Sequence, residues 1–140
     1  MDTKIQDLQA VIERIKKAEG IVCGTLDDVG HLRAIRRENE KWLRLPEEFY
    51  TLAREINGIR SDSAELYALS TGGKSGYFTD VVKSNPDTLS SGQVVLGETE
   101  YDDLVYIPAQ KRYELQDRIS ETSVAIFSTL AEALVYLFGV

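Results

Sequence analysis

Hydrophobic residues recur along this chain with two different periods, and the switch falls near its middle. Ile5, Leu8, Ile12 and Ile15 stand three and four apart with Lys, Gln, Glu and Arg between them, which predicts a helix over 3–19. Asp2 or Thr3 caps its start and Gly20 stops it. The apolar stripe is narrow, so this helix is expected on the surface of the core. A loop over 20–29 carries Gly20, Gly24 and Asp27-Asp28. A second helix over 30–43 sets Leu32, Ile35 and Trp42 on one side, and Arg33, Arg36, Arg37, Glu38, Glu40 and Lys41 toward solvent. The sharpest punctuation is Leu45-Pro46-Glu47-Glu48-Phe49-Tyr50. Proline tolerates the missing N–H of a first helical position. Two glutamates in the first turn meet the positive end of the helix dipole. Phe49, Leu52, Ala53 and Ile56 form the stripe to be buried, and Asn57-Gly58 supplies positive φ past the end.

The period then shortens. Leu66–Leu69 is a candidate strand, 70–77 (Ser-Thr-Gly-Gly-Lys-Ser-Gly-Tyr) a loop, and Asp80–Lys83 a short helix broken before Asn85-Pro86. Strands are predicted at Val94–Gly97, Leu104–Ile107, Tyr113–Gln116 and Val124–Phe127. Pro108-Ala109-Gln110-Lys111 is short enough to join the middle two as an antiparallel hairpin. The last helix covers 129–138, with Thr129 and Glu132 at capping-box spacing. Leu130, Ala133, Leu134, Leu137 and Phe138 form its wide core-facing stripe. Helices first, closely spaced strands next and a closing helix give an α+β domain. The expected architecture is one antiparallel sheet of about four to six strands, packed with N-terminal helices and a C-terminal helix. The gaps after residue 93 are too short for the crossovers of a parallel sheet.

Composition narrows the function. A chain of 140 residues fits one domain, 1–140, and buries enough surface to hold together without metal or disulfide staples. Its 16 basic and 23 acidic residues give a net charge of -7, which repels nucleic-acid backbones and favours a basic partner. One cysteine, Cys23, forms no internal disulfide. No signal peptide follows Met1 and no apolar run approaches a membrane span, so a cytoplasmic location is expected.

Candidate chemistry is sparse. His31 is the sole histidine and has no cysteine or acid at ligand spacing, which reads as a structural or surface group. Cys23, beside Ile21 and Val22, reads as a small buried residue. Gly72-Gly73-Lys74-Ser75-Gly76 invites a phosphate-loop reading, but the glycine required five positions before Gly73 is Ala68. Glu98, Glu100, Asp102 and Asp103 place four carboxylates in six residues without EF-hand spacing. They read as a solvated turn or as an anionic patch for a basic partner. The tyrosines of the strands read mainly as core. No cofactor and no metal is expected.

Four motifs in order resemble the SUKH superfamily, which includes the yeast cell-wall-synthesis regulator and bacterial toxin-immunity proteins. Leu45-Pro46-Glu47-Glu48-Phe49 followed by Ile56-Asn57-Gly58 is similar to its "LP…NG" helix. Val95-Leu96-Gly97-Glu98 resembles its hydrophobic–Gly–Glu strand, and Asp102-Asp103-Leu104-Val105-Tyr106 with Tyr113-Glu114-Leu115 its hairpin. Ile126-Phe127-Ser128-Thr129-Leu130-Ala131-Glu132-Ala133-Leu134 resembles its closing element. The resemblance covers about 30–138, although Trp42 lacks the following glycine and Leu130 stands where an aromatic is frequent. It implies protein binding without catalysis: an immunity protein that occludes a cognate toxin, for instance a basic nuclease, or alternatively an intracellular regulatory scaffold with another partner. On that reading Glu98, Glu100, Asp102 and Asp103 form the docking face and Tyr101 its aromatic anchor. An enzyme or small-ligand binder would instead need a deep apolar pocket with converging carboxylates.

Overall fold

The computed structural model describes residues 3–26, 29–69, 78–86 and 92–140. Seven strands form one antiparallel meander in chain order: β1 (Val22–Cys23), β2 (Ile59–Arg60), β3 (Ala64–Leu66), β4 (Val94–Thr99), β5 (Asp102–Ile107), β6 (Arg112–Asp117) and β7 (Ser123–Phe127). The helices are α1 (Thr3–Lys17), α2 (Leu32–Asn39, entered through a 3-10 turn at Val29–His31), α3 (Glu47–Ala53) and α4 (Leu130–Phe138). The α+β class is as the sequence predicts. The sheet is wider than expected because β1, β2 and β3 are two or three residues long, too short for a period to register. β3 lies before the predicted Leu66–Leu69, and Ala68 instead bridges Asp80 in parallel.

One core joins the inward face of the sheet to α1, α3 and α4. Leu104, Tyr113, Leu115 and Phe127 supply the sheet side, and Leu8, Val11, Ile12 and Ile15 the α1 side. Helix α1 thus lies on the core as expected, with Leu8, Ile12 and Ile15 buried and its opposite face exposed, and Val11 widens the buried stripe. Trp42 is 57% exposed, contrary to expectation. Helix α2 ends at Asn39, so Trp42 falls in the turn beyond it and leaves the packed side. Residues 80–83 form a turn instead of a helix: Asp80 Oδ1 accepts the Val82 N–H at 2.8 Å, and Ser84 N–H reaches the Asp80 carbonyl at 3.1 Å. The glycine-rich 70–77 stretch, with the phosphate-loop reading placed on it, lies outside the described residues.

Two buried asparagines substitute for missing strand partners. Asn57 Nδ2 donates to the Leu69 carbonyl (3.3 Å) while its Oδ1 accepts the Leu69 N–H (2.8 Å). Asn85 does the same to Val95, at 2.9 and 2.7 Å, along the edge of β4 that β3 leaves uncovered. A side-chain amide carries one donor and one acceptor side by side, as a backbone does, so each satisfies a buried pair of polar groups. Asn57 thus does more than stop a helix. At Gly97, beside the β-bulge of β4, a Cβ would run into the Glu65 carbonyl oxygen, so the β3–β4 approach requires glycine.

Candidate functional site: an acidic tip with an exposed aromatic

Strands β4 and β5 meet in a tight turn at Glu100-Tyr101, and the expected docking residues are all there. The register explains their placement. Glu98 pairs across from Asp103, so both carboxylates project from one end of the sheet, while Asp102 opens β5. Only Glu100 and Tyr101 lie in the turn; the other three acids belong to the strands, not to a loop. Tyr101 is 69% exposed.

No local pattern along the chain announces what holds this turn. Arg118, in the β6–β7 connection, lies against it. Its Nη2 donates to the Thr99 carbonyl at 2.7 Å and the Asp102 carbonyl at 3.1 Å, and its Nη1 to the Glu100 carbonyl at 3.2 Å. Its Nε donates to Asp103 Oδ1 at 3.1 Å, and Nη2 stands 3.6 Å from Glu98. The Arg118 N–H also donates to the Tyr101 carbonyl at 3.0 Å. A planar guanidinium with five donors in a fixed fork suits this convergence of acceptors better than a lysine would. Two of the four carboxylates, Glu98 and Asp103, therefore flank this cation and are partly neutralised from within, while Glu100 and Asp102 meet it through their main-chain carbonyls. Glu98 also accepts the Tyr67 hydroxyl at 3.3 Å. Asp102 faces Thr99, whose Oγ1 accepts the Asp102 N–H at 3.1 Å. Glu100 is the exposed acid of the set.

Next to Arg118, Ile119 is 95% exposed. It was not singled out from sequence, although an isoleucine among Asp117, Arg118, Ser120, Glu121 and Thr122 is itself the anomaly. Its turn is fixed by Asp117, whose Oδ1 accepts the Ile119 and Ser120 N–H groups, both at 2.9 Å. The Ser120 bond first, then that of Ile119, holds the Asp117 carboxyl below the usual range. Between the tip and the outward face of the sheet runs a cleft of about 390 Å³ lined by Val95, Asp103, Val105, Asp117, Arg118 and Glu121 among others. It is suited to receive a basic side chain over an apolar floor. A second cleft, of about 700 Å³, opens between α2 and α3 and has the opposite sign, with Arg33, Arg36 and Arg54 beside Tyr50. Arg36 is engaged there by both Glu47 carboxylate oxygens and by Glu40.

Cys23, in β1, and His31, before α2, lie on elements other than those that build the tip. Burial pushes the Cys23 thiol up, away from the reactive thiolate. His31 closes the 3-10 turn before α2. Among the described residues no group of three or more His, Cys, Asp or Glu side chains is arranged to hold a metal ion. No described helix is long and apolar enough to cross a membrane.

The motif residues hold the fold together. Glu48 receives the Tyr113 hydroxyl on one carboxylate oxygen (2.9 Å) and the Leu130 N–H at the start of α4 on the other (3.2 Å). Three of the four sequence motifs therefore meet at one carboxylate. Thr129 accepts the Glu132 N–H at 3.2 Å as the expected cap. No family model, no curated protein and no solved structure matches the chain.

Proposed function

We propose that this chain is a non-enzymatic protein-binding domain that docks through the β4–β5 tip onto a partner with a basic surface. The observation that carries the reading is Arg118. One side chain bonded to three carbonyls and a carboxylate fixes the turn that presents Tyr101, so little conformational freedom remains to be lost on binding. An exposed tyrosine on a rigid support is a typical anchor. The surrounding acids and the overall charge of -7 steer a basic partner toward it.

The partner class comes from the SUKH resemblance. Kinship with that superfamily is supported by where the motif residues fall: Glu48, Asn57, Gly97 and Thr129 each make a contact that builds the fold. The implied role is immunity in the cytoplasm, where the domain occludes a bacterial toxin. A toxin that cleaves nucleic acid must grip phosphates and so presents a basic face.

The test is parallel capture from the native host with wild type, a tip variant (Glu100→Lys with Tyr101→Ala) and a control substituted at Trp42, which is exposed elsewhere. The reading expects one basic toxin domain, identified by mass, held by wild type and control and lost by the tip variant. A partner held equally by all three overturns the docking face. A tip-dependent partner that is no toxin replaces immunity with the regulatory-scaffold role.

A further inference from the structure

We infer that two copies of this chain associate edge to edge through β7 and the adjoining side of α4, independently of the partner proposed above. Residues 122–140 carry one charged side chain, Glu132, in 19 positions, in a chain that is 28% charged. Yet the segment is not simply interior. Val124, Ile126 and Tyr136 are more than half exposed and Val135 is more than a third exposed. They run along one margin of the molecule, because β7 is the last strand of the sheet and the Tyr136 ring lies 5.4 Å from that of Phe127. A largely apolar groove of about 520 Å³ between α1 and α4 continues the surface, with Val11, Phe127, Val135 and Tyr136 in its walls; Asp7, Arg14 and Glu132 also line it.

The occupant follows from the charge. A basic partner gains nothing from a neutral face. Two molecules of charge -7 repel wherever their acidic surfaces meet, and this margin is where they approach without bringing many like charges together. The edge is also self-complementary. A strand at the end of a sheet presents unpaired N–H and C=O groups and is normally blunted by charge, proline or a bulge. Here there is no charge and no proline from Ser123 to Phe127, the bulge-like register shift is confined to Val124, and no other described strand covers the outer edge of Ala125–Phe127. Antiparallel pairing about a two-fold axis at Ile126 sets that residue beside its counterpart and Ala125 beside Phe127 of the second copy. Such an isologous contact closes after two subunits. It joins two seven-stranded sheets into one and brings the two α4 margins together.

Sedimentation over a concentration series tests the inference on the whole chain. Wild type is expected to pass from 15.7 kDa to twice that mass as concentration rises. Ile126→Glu and Tyr136→Glu are expected to remain at 15.7 kDa with unchanged circular dichroism, since both positions face solvent in the single chain. A wild type that stays at the monomer mass at every concentration overturns the inference, and so does a dimer that survives both substitutions. Hydrogen exchange of wild type alone gives a check that no folding defect can obscure. The amides within 125–127 that point away from β6 gain protection with concentration if the edges pair, and protection independent of concentration counts against pairing.

Discussion

Glu48 and Tyr113 offer the sharpest energetic test of how the chain is tied together. Glu48 lies in the first turn of α3, Tyr113 in β6 and Leu130 at the start of α4, so one carboxylate joins elements up to 82 residues apart. Replacing Glu48 by alanine leaves the Tyr113 hydroxyl, on a residue 1% exposed, without its acceptor. A hydrogen bond to a charged group is worth about 1.5–3 kcal/mol. Losing the carboxylate also strips the Leu130 N–H, a loss of about 1 kcal/mol by comparison with other helix caps. Glu48 is only half-buried, so the sum is taken toward its lower end, about 3 kcal/mol. Tyr113→Phe alone should cost about 1.5 kcal/mol, because the carboxylate it abandons keeps its bond to Leu130 and some access to water. In a double-mutant cycle by urea unfolding, the coupling should be about 1.5 kcal/mol. Glu47→Ala is the control. Glu47 is adjacent in sequence, but its side chain is 71% exposed and serves a surface pair with Arg36, so about 1 kcal/mol or less is expected. A coupling below about 0.5 kcal/mol, or equal losses at Glu47 and Glu48, refutes the claim that this carboxylate ties the motifs together.

Alkali should unfold the domain. Burial, the largest cause in each, pushes up the phenols of Tyr50 (to about 12), Tyr67 and Tyr113 from 10.0. Above pH 10 the unfolded chain has lost protons that the folded chain retains, so stability is complete below that pH and falls as pH rises. Each tyrosine steepens the fall by at most about 1.4 kcal/mol per pH unit. Urea midpoints measured through this range should show the decline, and Tyr113→Phe should flatten it; an unchanged slope contradicts the assignment. Gly97→Ala forces a Cβ onto the Glu65 carbonyl and should cost about 2–3 kcal/mol in urea unfolding, with a neutral result ruling out the close β3–β4 approach. Asn57→Ala leaves both polar groups of Leu69 buried and unpaired, so a loss of about 2–5 kcal/mol is expected in the same assay, and less than about 1 kcal/mol would mean that water takes over the pairing.

The long elements were legible because periodicity and punctuation agree in them. Thr129 and Glu132 announce α4, and Pro108–Lys111 announces the β5–β6 hairpin; both appear in place. The short strands β1 and β2 were not legible, since two residues carry no alternation and their pairing depends on partners far along the chain, as Cys23 with Ile59 shows. Trp42 was misplaced because the end of α2 is set by packing rather than by a glycine or proline. At the tip, the sequence located the carboxylates and Tyr101 but not Arg118. An arginine that bonds main-chain carbonyls 16 to 19 residues away leaves no local pattern, and it reverses the picture of a loose anionic loop into a pinned one.

The most direct test of the central claim is a hydrogen-exchange footprint of the chain bound to the partner that the capture identifies. If the pinned tip is the docking face, protection appears in 98–103 and 117–121, and Arg118→Ala both raises exchange of the free turn and weakens binding. Protection confined to other segments, or an Arg118→Ala variant that binds as tightly as wild type, contradicts it.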